Sequence, residues 1–277
     1  MIAASLYETI TVALARTFDD GECGFTGLTT GRQAALYGTS MPLAAMALAR
    51  ATHAPNLTIL FAGWSVNPDT SQLRRLPDME FDSELTELPC EAQVTDYPNP
   101  IGYKRGDVDF GFSSGVQVDQ WGCLNSVRIG PPERPKVRLV GPILQPEHFT
   151  LFGREYIMMP RHDRRCFVEQ VDYASGVGFP GGRHRRRELG LPDTGPALVV
   201  SPLGFFDFDD EGRMRARSLH PGVDADQVAS NTAFEPRGLA EAPVTEPPTK
   251  RELSVLRQVV DPRGVLVPPA QAGKASE

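Results

Sequence analysis

The chain has 277 residues, of which 40% are apolar or aromatic, and it carries 28 Lys and Arg against 35 Asp and Glu, for a formal net charge of -7. This much apolar material can offset the entropy of ordering the chain, so the composition excludes an intrinsically disordered protein and predicts a soluble globular one. The negative charge disfavours nucleic acid as a partner, because binding to phosphate depends on a basic surface.

Hydropathy and cysteine spacing narrow the class further. No uncharged stretch reaches the roughly 20 residues that a helix needs to cross a bilayer, and the first eight residues lack the basic segment of a signal peptide. We therefore expect no membrane interaction and a cytoplasmic location. The cysteines form no CxxC pair, so they are predicted to be free thiols and not metal ligands. They are Cys23, Cys90, Cys123 and Cys166.

The first quarter of the chain alternates helix and strand signals. Apolar residues with a 3.6-residue period predict an amphipathic helix over residues 2–18. Residues 22–37 are predicted to be loop, ending in a tight turn at residues 38–40. A helix is expected over residues 43–51, behind a proline that suits a first turn. The continuous apolar run at residues 57–63 predicts a strand buried on both faces, and this order indicates an α/β fold.

Short strands are predicted to dominate the rest of the chain. Residues 69–105 are rich in proline and acidic residues, and the alternation at residues 78–84 within them fits either an exposed strand or a surface loop. Residues 197–219 alternate short strands with turns, which is typical of a β-meander. A short helix opened by Asp224 and a terminal helix over residues 250–260 follow. Candidate strands of the middle segment are residues 108–112, 125–130, 137–140, 156–159 and 166–171.

Two segments of residues 176–187 have weak functional signals. The Gly-rich stretch 176–182 lacks the Lys and Ser or Thr of a phosphate-binding P-loop, so it is interpreted as a flexible turn. The arginine run that follows it, residues 183–187, is interpreted as a solvated surface, with binding of a nucleotide phosphate as the alternative.

A series of short motifs then occurs in a fixed order along the chain. It comprises GTSMPL at 38–43, APN at 54–56, GVQVD at 115–119, NS at 125–126, RCFVEQVDY at 165–173, GGR at 181–183, LGLP at 189–192, FDF at 206–208 and DP at 261–262. Together these motifs resemble the β subunit of glutaconate CoA-transferase and its relatives, over residues 3–265. Residues 167–178 and 206–223 are particularly similar to the β subunit of the actinobacterial steroid ring-cleaving hydrolase.

The resemblance implies a fold, a partner and a substrate class. It implies an open, mostly parallel α/β sheet with flanking helices as one domain over residues 1–265, with a flexible tail at residues 266–277. It also implies a heterodimer or heterotetramer with an α subunit, and acyl-CoA substrates. Coenzyme A would enter as part of the substrate, with no permanently bound cofactor and no metal.

Two departures from the family pattern concern the chemistry. In the family's transferases a glutamate at the end of the buried strand attacks the thioester, and the resemblance places that glutamate at Ala62, which has no nucleophile. The family's Gly-Gly-Ala-Asn loop is replaced by residues 141–148, where two prolines remove backbone donors of an oxyanion hole. Covalent transfer in the family's manner is therefore disfavoured.

The resemblance also implies a set of pocket residues. Ala62, Gly63, Trp64, Ser65 and Asn67 would line the pocket at the strand end, with Gly115, Asp119 and Asn125 near it.

Each candidate has a structural alternative. Trp64 offers an apolar wall for the acyl group or is simply part of the core. Gln117 would orient a carbonyl, whereas Asp119 is more typical of a satisfied turn network. Glu147 and His148 form an acid-base pair or a surface pair, the latter being favoured. The turn residue His220 is interpreted as structural.

The sequence leaves three functions in order of preference. The first is an enzyme subunit that hydrolyses an acyl-CoA or cleaves a C–C bond in it, using a carboxylate from the α subunit. The second is a non-catalytic structural subunit of such a heteromer. The third is a CoA-transferase that moves CoA between carboxylic acids.

Overall fold

The chain divides into two compact units, one formed by residues 1–97 and 246–277 and the other by residues 98–245. The computed structural model describes residues 4–29, 31–63, 65–79, 81–93, 106–142 and 144–269. The single domain expected over residues 1–265 stays a prediction, and the expected flexible tail lies outside the described residues from residue 270 onward.

The first unit begins with helices and four short strands. Strands β1 and β2 are parallel, β3 pairs antiparallel with β2, and β4 pairs antiparallel with β3. The elements are α1 (Leu6–Ala15), β1 (Cys23–Thr26), α2 (Arg32–Ala35), a π-helical turn (Leu36–Ser40), α3 (Met41–Thr52), β2 (Thr58–Phe61), β3 (Ser65–Pro68), a 3-10 turn (Thr70–Gln72), α4 (Ser83–Thr86) and β4 (Cys90–Gln93).

Local sequence explains where the main helices of this unit begin. Ser5 and Glu8 form a capping box at the start of α1, which satisfies two free backbone N–H groups. Pro42 lies in the first turn of α3, as predicted. The buried faces of α1 and α3 pack against each other.

Two predictions for this unit are wrong. Within the predicted loop at residues 22–37, residues 23–26 are a strand and residues 32–37 are helical. The strand forms because it pairs with β2, which lies far along the chain. The expected tight turn at residues 38–40 is part of a π-helical turn that joins α2 and α3 into one continuous helix. There the hydroxyl of Thr39 donates to Gly27 O and that of Thr26 donates to Gly38 O, which fixes the turn against the strand end. The segment at residues 78–84 was open between strand and loop, and its last two residues begin α4 while its other described residues form no strand.

Five strands of the second unit are hydrogen-bonded side by side in the order β14-β13-β12-β10-β5. Strands β5, β10 and β12 are parallel, and β13 and β14 are added in antiparallel orientation. A three-stranded group (β11-β6-β7) and a hairpin (β8-β9) accompany them. The strands are β5 (Phe110–Ser114), β6 (Gln117–Asp119), β7 (Leu124–Asn125), β8 (Arg128–Ile129), β9 (Val137–Arg138), β10 (Arg154–Met158), β11 (Phe167–Val168), β12 (Pro196–Val200), β13 (Gly204–Phe208) and β14 (Met214–Leu219). The helices are α5 (Gln145–Leu151), α6 (Arg183–Glu188) and α7 (Ala225–Asn231).

The predicted meander and α/β class are confirmed. Strands β12, β13 and β14 are consecutive antiparallel neighbours, and parallel strands with flanking helices form the core of each unit. Asp224 caps α7 by accepting from the backbone N–H of Gln227. All four cysteines are free thiols, as expected.

The chain returns to the first unit in a terminal helix. It comprises α8 (Lys250–Val255) and a π-helical turn (Leu256–Val260), and it ends where Asp261 accepts from three following backbone N–H groups. Arg257 forms an ion pair with the buried carboxylate of Glu8 at 2.5 Å. Among the described residues, no helix is long and apolar enough to cross a membrane.

Candidate functional site

The carboxyl ends of β1 and β2 lie side by side in the first unit. Their register pairs Thr26 with Phe61, and the backbone N–H of Ala62 donates to Thr26 O at 2.8 Å. In open α/β sheets the crevice at this end of parallel strands is where ligands bind. We call this edge, with the described residues of the segments 27–31 and 62–65, the strand-end site.

The backbone of the strand-end site is unusual at its first two loop residues. Ala62 has φ 53° and Gly63 has φ 72°, so both are left-handed. For alanine this conformation costs about 1 kcal/mol, and such outliers cluster at functional sites. Ala62 has 0% relative exposure. The position implied for the family's glutamate therefore holds a buried methyl group on a strained turn.

Ser65 supplies a polar group beside this turn. Its side chain is buried, and its hydroxyl has no hydrogen-bond partner among the described residues. The hydroxyls of Thr26 and Thr39, by contrast, donate to backbone carbonyls. A buried hydroxyl without a partner is costly, so among the described residues of this edge Ser65 is a candidate hydrogen-bond donor for a ligand.

Asn67 has a different environment from the one predicted. Its Oδ1 accepts from the N–H of Ile59 at 2.7 Å and its Nδ2 donates to Glu91 at 2.7 Å. The amide thus fixes the hairpin of β2 and β3, back from the strand end. Trp64 lies outside the described residues.

Gln117, the predicted carbonyl-orienting residue, belongs to the second unit. Its Oε1 accepts from Asn125 Nδ2 at 2.7 Å and from the N–H of Asp172 at 3.1 Å, and its Nε2 donates to Asp172 Oδ2 at 3.1 Å. We call Gln117, Asn125 and Asp172 the amide network. Asn125 and Asp172 therefore engage both the oxygen and the nitrogen of the Gln117 amide.

Asp119 forms the turn network favoured from the sequence. Its Oδ1 accepts from the N–H groups of Trp121 and Cys123, both at 3.0 Å. Burial raises the pKa of Asp119 to about 6, against the opposing effect of these donors. Gly115 is required for close packing, since a Cβ there would lie 2.7 Å from Asn125 O.

Sequence reasoning missed a second polar cluster, on the segment that replaces the family's glycine loop. Gln145 Oε1 accepts from the hydroxyls of Ser126 and Ser175 at 2.8 and 2.7 Å, and its Nε2 donates to Ser114 O at 2.8 Å. Ser126 belongs to one of the motifs that carry the family resemblance, and this was the sequence signal that could have indicated the cluster. These bonds hold the start of α5, which follows left-handed Leu144.

The surface interpretation of the Glu147–His148 pair is wrong for the histidine. His148 is buried, its ring stacks on Phe152, and its Nδ1 lies 3.6 Å from Oε1 of Glu155. Glu155 has 0% relative exposure. The buried carboxylate beside this imidazole is therefore Glu155 of β10 and not its sequence neighbour Glu147, which is half-buried.

The interpretation of residues 183–187 as solvated is wrong for one member. Arg186 has 0% relative exposure. Its guanidinium donates to the carbonyls of Val177, Gly178, Phe149 and Pro192. Burial lowers its pKa to about 10, so it stays charged at neutral pH. Arg186 thus fixes the Gly-rich stretch, which was predicted to be a flexible turn.

Comparison with known proteins defines the class. The chain is 31% identical over 258 residues to the B subunit of 3-oxoadipate CoA-transferase from Pseudomonas knackmussii, covering 93% of this chain and 94% of that protein. It is 39% identical over 157 residues to the cholesterol ring-cleaving hydrolase IpdB subunit of Rhodococcus jostii, covering 54% and 58%. The structure of Rhodococcus jostii IpdAB matches with a TM-score of 0.75 and 29% identity, covering 95% of this chain and 97% of that chain. No protein-family model matches the chain.

Fold and strand-end site therefore define a protein of the CoA-transferase fold. At the level of sequence the chain belongs to the family of CoA-transferase B subunits. The resemblance to the B subunit of glutaconate CoA-transferase and to the steroid ring-cleaving hydrolase is confirmed.

Proposed function

We propose that the chain is the B subunit of a heteromeric enzyme that hydrolyses an acyl-CoA or cleaves a C–C bond in its acyl part, with the catalytic carboxylate on the A subunit. The proposal rests on one observation above all. The strand-end site has a buried alanine where the family's transferases carry a glutamate, and its loops at residues 27–31 and 62–65 contain no acidic residue. Without a carboxylate on this edge, the chain lacks the nucleophile for covalent transfer.

The remaining groups of the strand-end site suit binding of the substrate and polarisation of its carbonyl group. We infer that the hydroxyl of Ser65 donates a hydrogen bond to a substrate oxygen, because it has no partner among the described residues and lies beside the left-handed turn at Ala62 and Gly63. In the proposed reaction the partner's carboxylate takes a proton from water, and the water oxygen bonds to a carbonyl carbon. The C–C bond breaks, and the resulting carbanion takes up a proton.

The relatives support this function unequally. The IpdB subunits are named as parts of a hydrolase, whereas the relative that covers most of the chain is named as part of a transferase. The absence of the strand-end glutamate favours the hydrolase. An experiment must therefore exclude the transfer of CoA between carboxylic acids.

The test is co-expression with the A subunit, followed by mass spectrometry of a panel of acyl-CoA and cyclic keto-acyl-CoA substrates. For cleavage of a ring C–C bond we expect a product that gains the mass of one water without release of CoA. For hydrolysis of the thioester we expect the free acid and free CoA. Either product should form equally with and without added acceptor acids. Movement of CoA to an added acid would overturn the proposal in favour of a transferase.

A non-catalytic structural subunit is the second candidate, and the amide network favours it. The amide of Gln117 is held by Asn125 and Asp172 and so is not free to orient a substrate carbonyl. A complex that assembles but is inert toward every substrate would select this candidate. A cytoplasmic location and the absence of metal and permanent cofactor stay predictions.

A further inference from the structure

A cationic hairpin projects from the second unit of this acidic protein. Residues 128–138, which form β8, β9 and the loop between them, contain four cations and one acid, whereas the whole chain has a net charge of -7. Those cations are Arg128, Arg134, Lys136 and Arg138, and the last three are exposed. We call this segment the basic hairpin.

The register gathers the charges on one face. Arg128 lies directly opposite Arg138, and Ile129 lies opposite Val137. Because side chains alternate along a strand, Lys136 shares the face of Arg138. Like charges directly opposite each other in a hairpin are destabilising, so the pairing of Arg128 with Arg138 has a stability cost.

No described residue neutralises the exposed cations. Arg134, Lys136 and Arg138 form no ion pair within the described part of the chain, although most of the exposed arginines elsewhere do. Three prolines in the connecting loop, at residues 131, 132 and 135, restrict its backbone. The cations are thus presented by a stiffened loop, which lowers the entropy cost of binding a ligand.

The amide network anchors the base of the basic hairpin. Asn125 Nδ2 donates to Arg128 O at 2.7 Å, and Asp172 Oδ2 accepts from the N–H of Gly130 at 3.2 Å. The guanidinium of Arg128 lies 5.5 Å from the ring centre of Tyr173, a residue that is 43% exposed. An accessible aromatic ring therefore adjoins the cationic face.

We propose that the basic hairpin binds the nucleotide end of coenzyme A, with its 5′-diphosphate and 3′-phosphate on Arg134, Lys136 and Arg138 and its adenine against Tyr173. Phosphate groups bind to cations, and a planar base stacks on an aromatic ring or a guanidinium group. The cationic face beside Tyr173 offers cations for the phosphates and a ring for the base. Gln117, Asn125 and Asp172 then act as positioning residues that orient the hairpin. The inference rests on the proposed function, since it assumes a CoA-linked substrate.

The test is calorimetric titration of the assembled heteromer with CoA, dephospho-CoA and pantetheine. The variant is the triple substitution Arg134→Gln, Lys136→Gln and Arg138→Gln. The matched control removes three exposed cations elsewhere, through Arg217→Gln, Lys250→Gln and Arg251→Gln. We expect the hairpin variant to weaken CoA binding at least about tenfold and pantetheine binding not at all, while the control matches the wild type.

Two other outcomes overturn the proposal, and a third separates it from the proposed function. Equal CoA affinity in the hairpin variant and the wild type would place the nucleotide elsewhere. Failure of the variant to assemble with the A subunit, seen by gel filtration, would make the hairpin a subunit interface, for which exposed Val137 and Val140 are suited. CoA that binds through the hairpin without any turnover would leave this inference standing and overturn the proposed function instead.

Discussion

Ala62 combines three features in one residue: a position at the end of a parallel strand, complete burial and a left-handed backbone. We predict that Ala62→Glu introduces the missing nucleophile. Its carboxylate would attack the thioester carbonyl to give an anhydride and free CoA thiolate, which then attacks the glutamyl carbonyl and releases the acyl group as a carboxylate. Intact-mass analysis of the chain should reveal a CoA adduct that the wild type does not form.

The control for this prediction is Ala62→Gln, which adds the same volume without a nucleophile. We expect no adduct and no transfer of CoA to acetate with the amide. If the glutamate variant folds, assembles and behaves like the glutamine variant, then the lost carboxylate is not the reason for the change of chemistry.

Arg186 is the second residue whose replacement has a clear expected effect. Arg186→Met would leave four carbonyl oxygens without their donor, two of them in buried hydrogen bonds, and an unsatisfied buried oxygen costs about 1 kcal/mol or more. We expect the free energy of unfolding, measured by urea denaturation, to fall by at least about 3 kcal/mol. The neighbouring Arg187→Gln, which removes only an exposed pair with Asp193, should change it by less than about 0.5 kcal/mol.

At the scale of elements, the residue that follows β12 connects two buried histidines. Ser201 Oγ lies 2.8 Å from His162 Nδ1, and Ser201 O lies 2.9 Å from His220 Nε2. Burial lowers the pKa of His162 to about 3 and that of His220 to about 4. Both rings are therefore neutral in the folded protein at neutral pH.

This arrangement predicts acid sensitivity of the second unit. Because both folded pKa values lie below the unfolded value of about 6.5, the stabilisation is complete above that pH and is lost as the pH falls toward 4. Each histidine contributes a slope of up to about 1.4 kcal/mol per pH unit. Urea denaturation at pH 7.5, 6.0 and 5.0 should show a shallower slope for His220→Gln than for the wild type, and an unchanged slope would contradict the assignment.

Elements were predictable from sequence where local chemistry decides them. The cap at Asp224, the proline of α3 and the turns of the meander depend on neighbouring residues only, and the structure has all three. Strand β1 was missed because its four residues gain their stability from β2, some 35 positions away, and not from their own pattern. The π-helical turn was missed for a similar reason, because hydroxyls of Thr26 and Thr39 bond it to a distant strand end.

At the scale of the whole molecule, the family and Ala62 could be read from the order of short motifs, since order along the chain is itself sequence information. The surroundings of the candidate residues could not. Whether His148 faces solvent or Glu155, and whether Arg186 is free or buried, depends on which segments the fold brings together. The sequence shows the cations of residues 128–138, yet their placement on one face of the basic hairpin needed the strand register.

The first unit is assembled from both ends of the chain, and this has a consequence for biosynthesis. Glu8 is buried against Arg257, a partner 249 positions later, so α1 cannot complete its packing while the ribosome is still translating the middle of the message. Residues 98–245, by contrast, are contiguous and emerge together. The second unit can therefore fold before residues 246–269 are synthesised, whereas the face of α3 that packs against the terminal helix stays exposed until then. A chaperone bound during that period would protect the chain from aggregation.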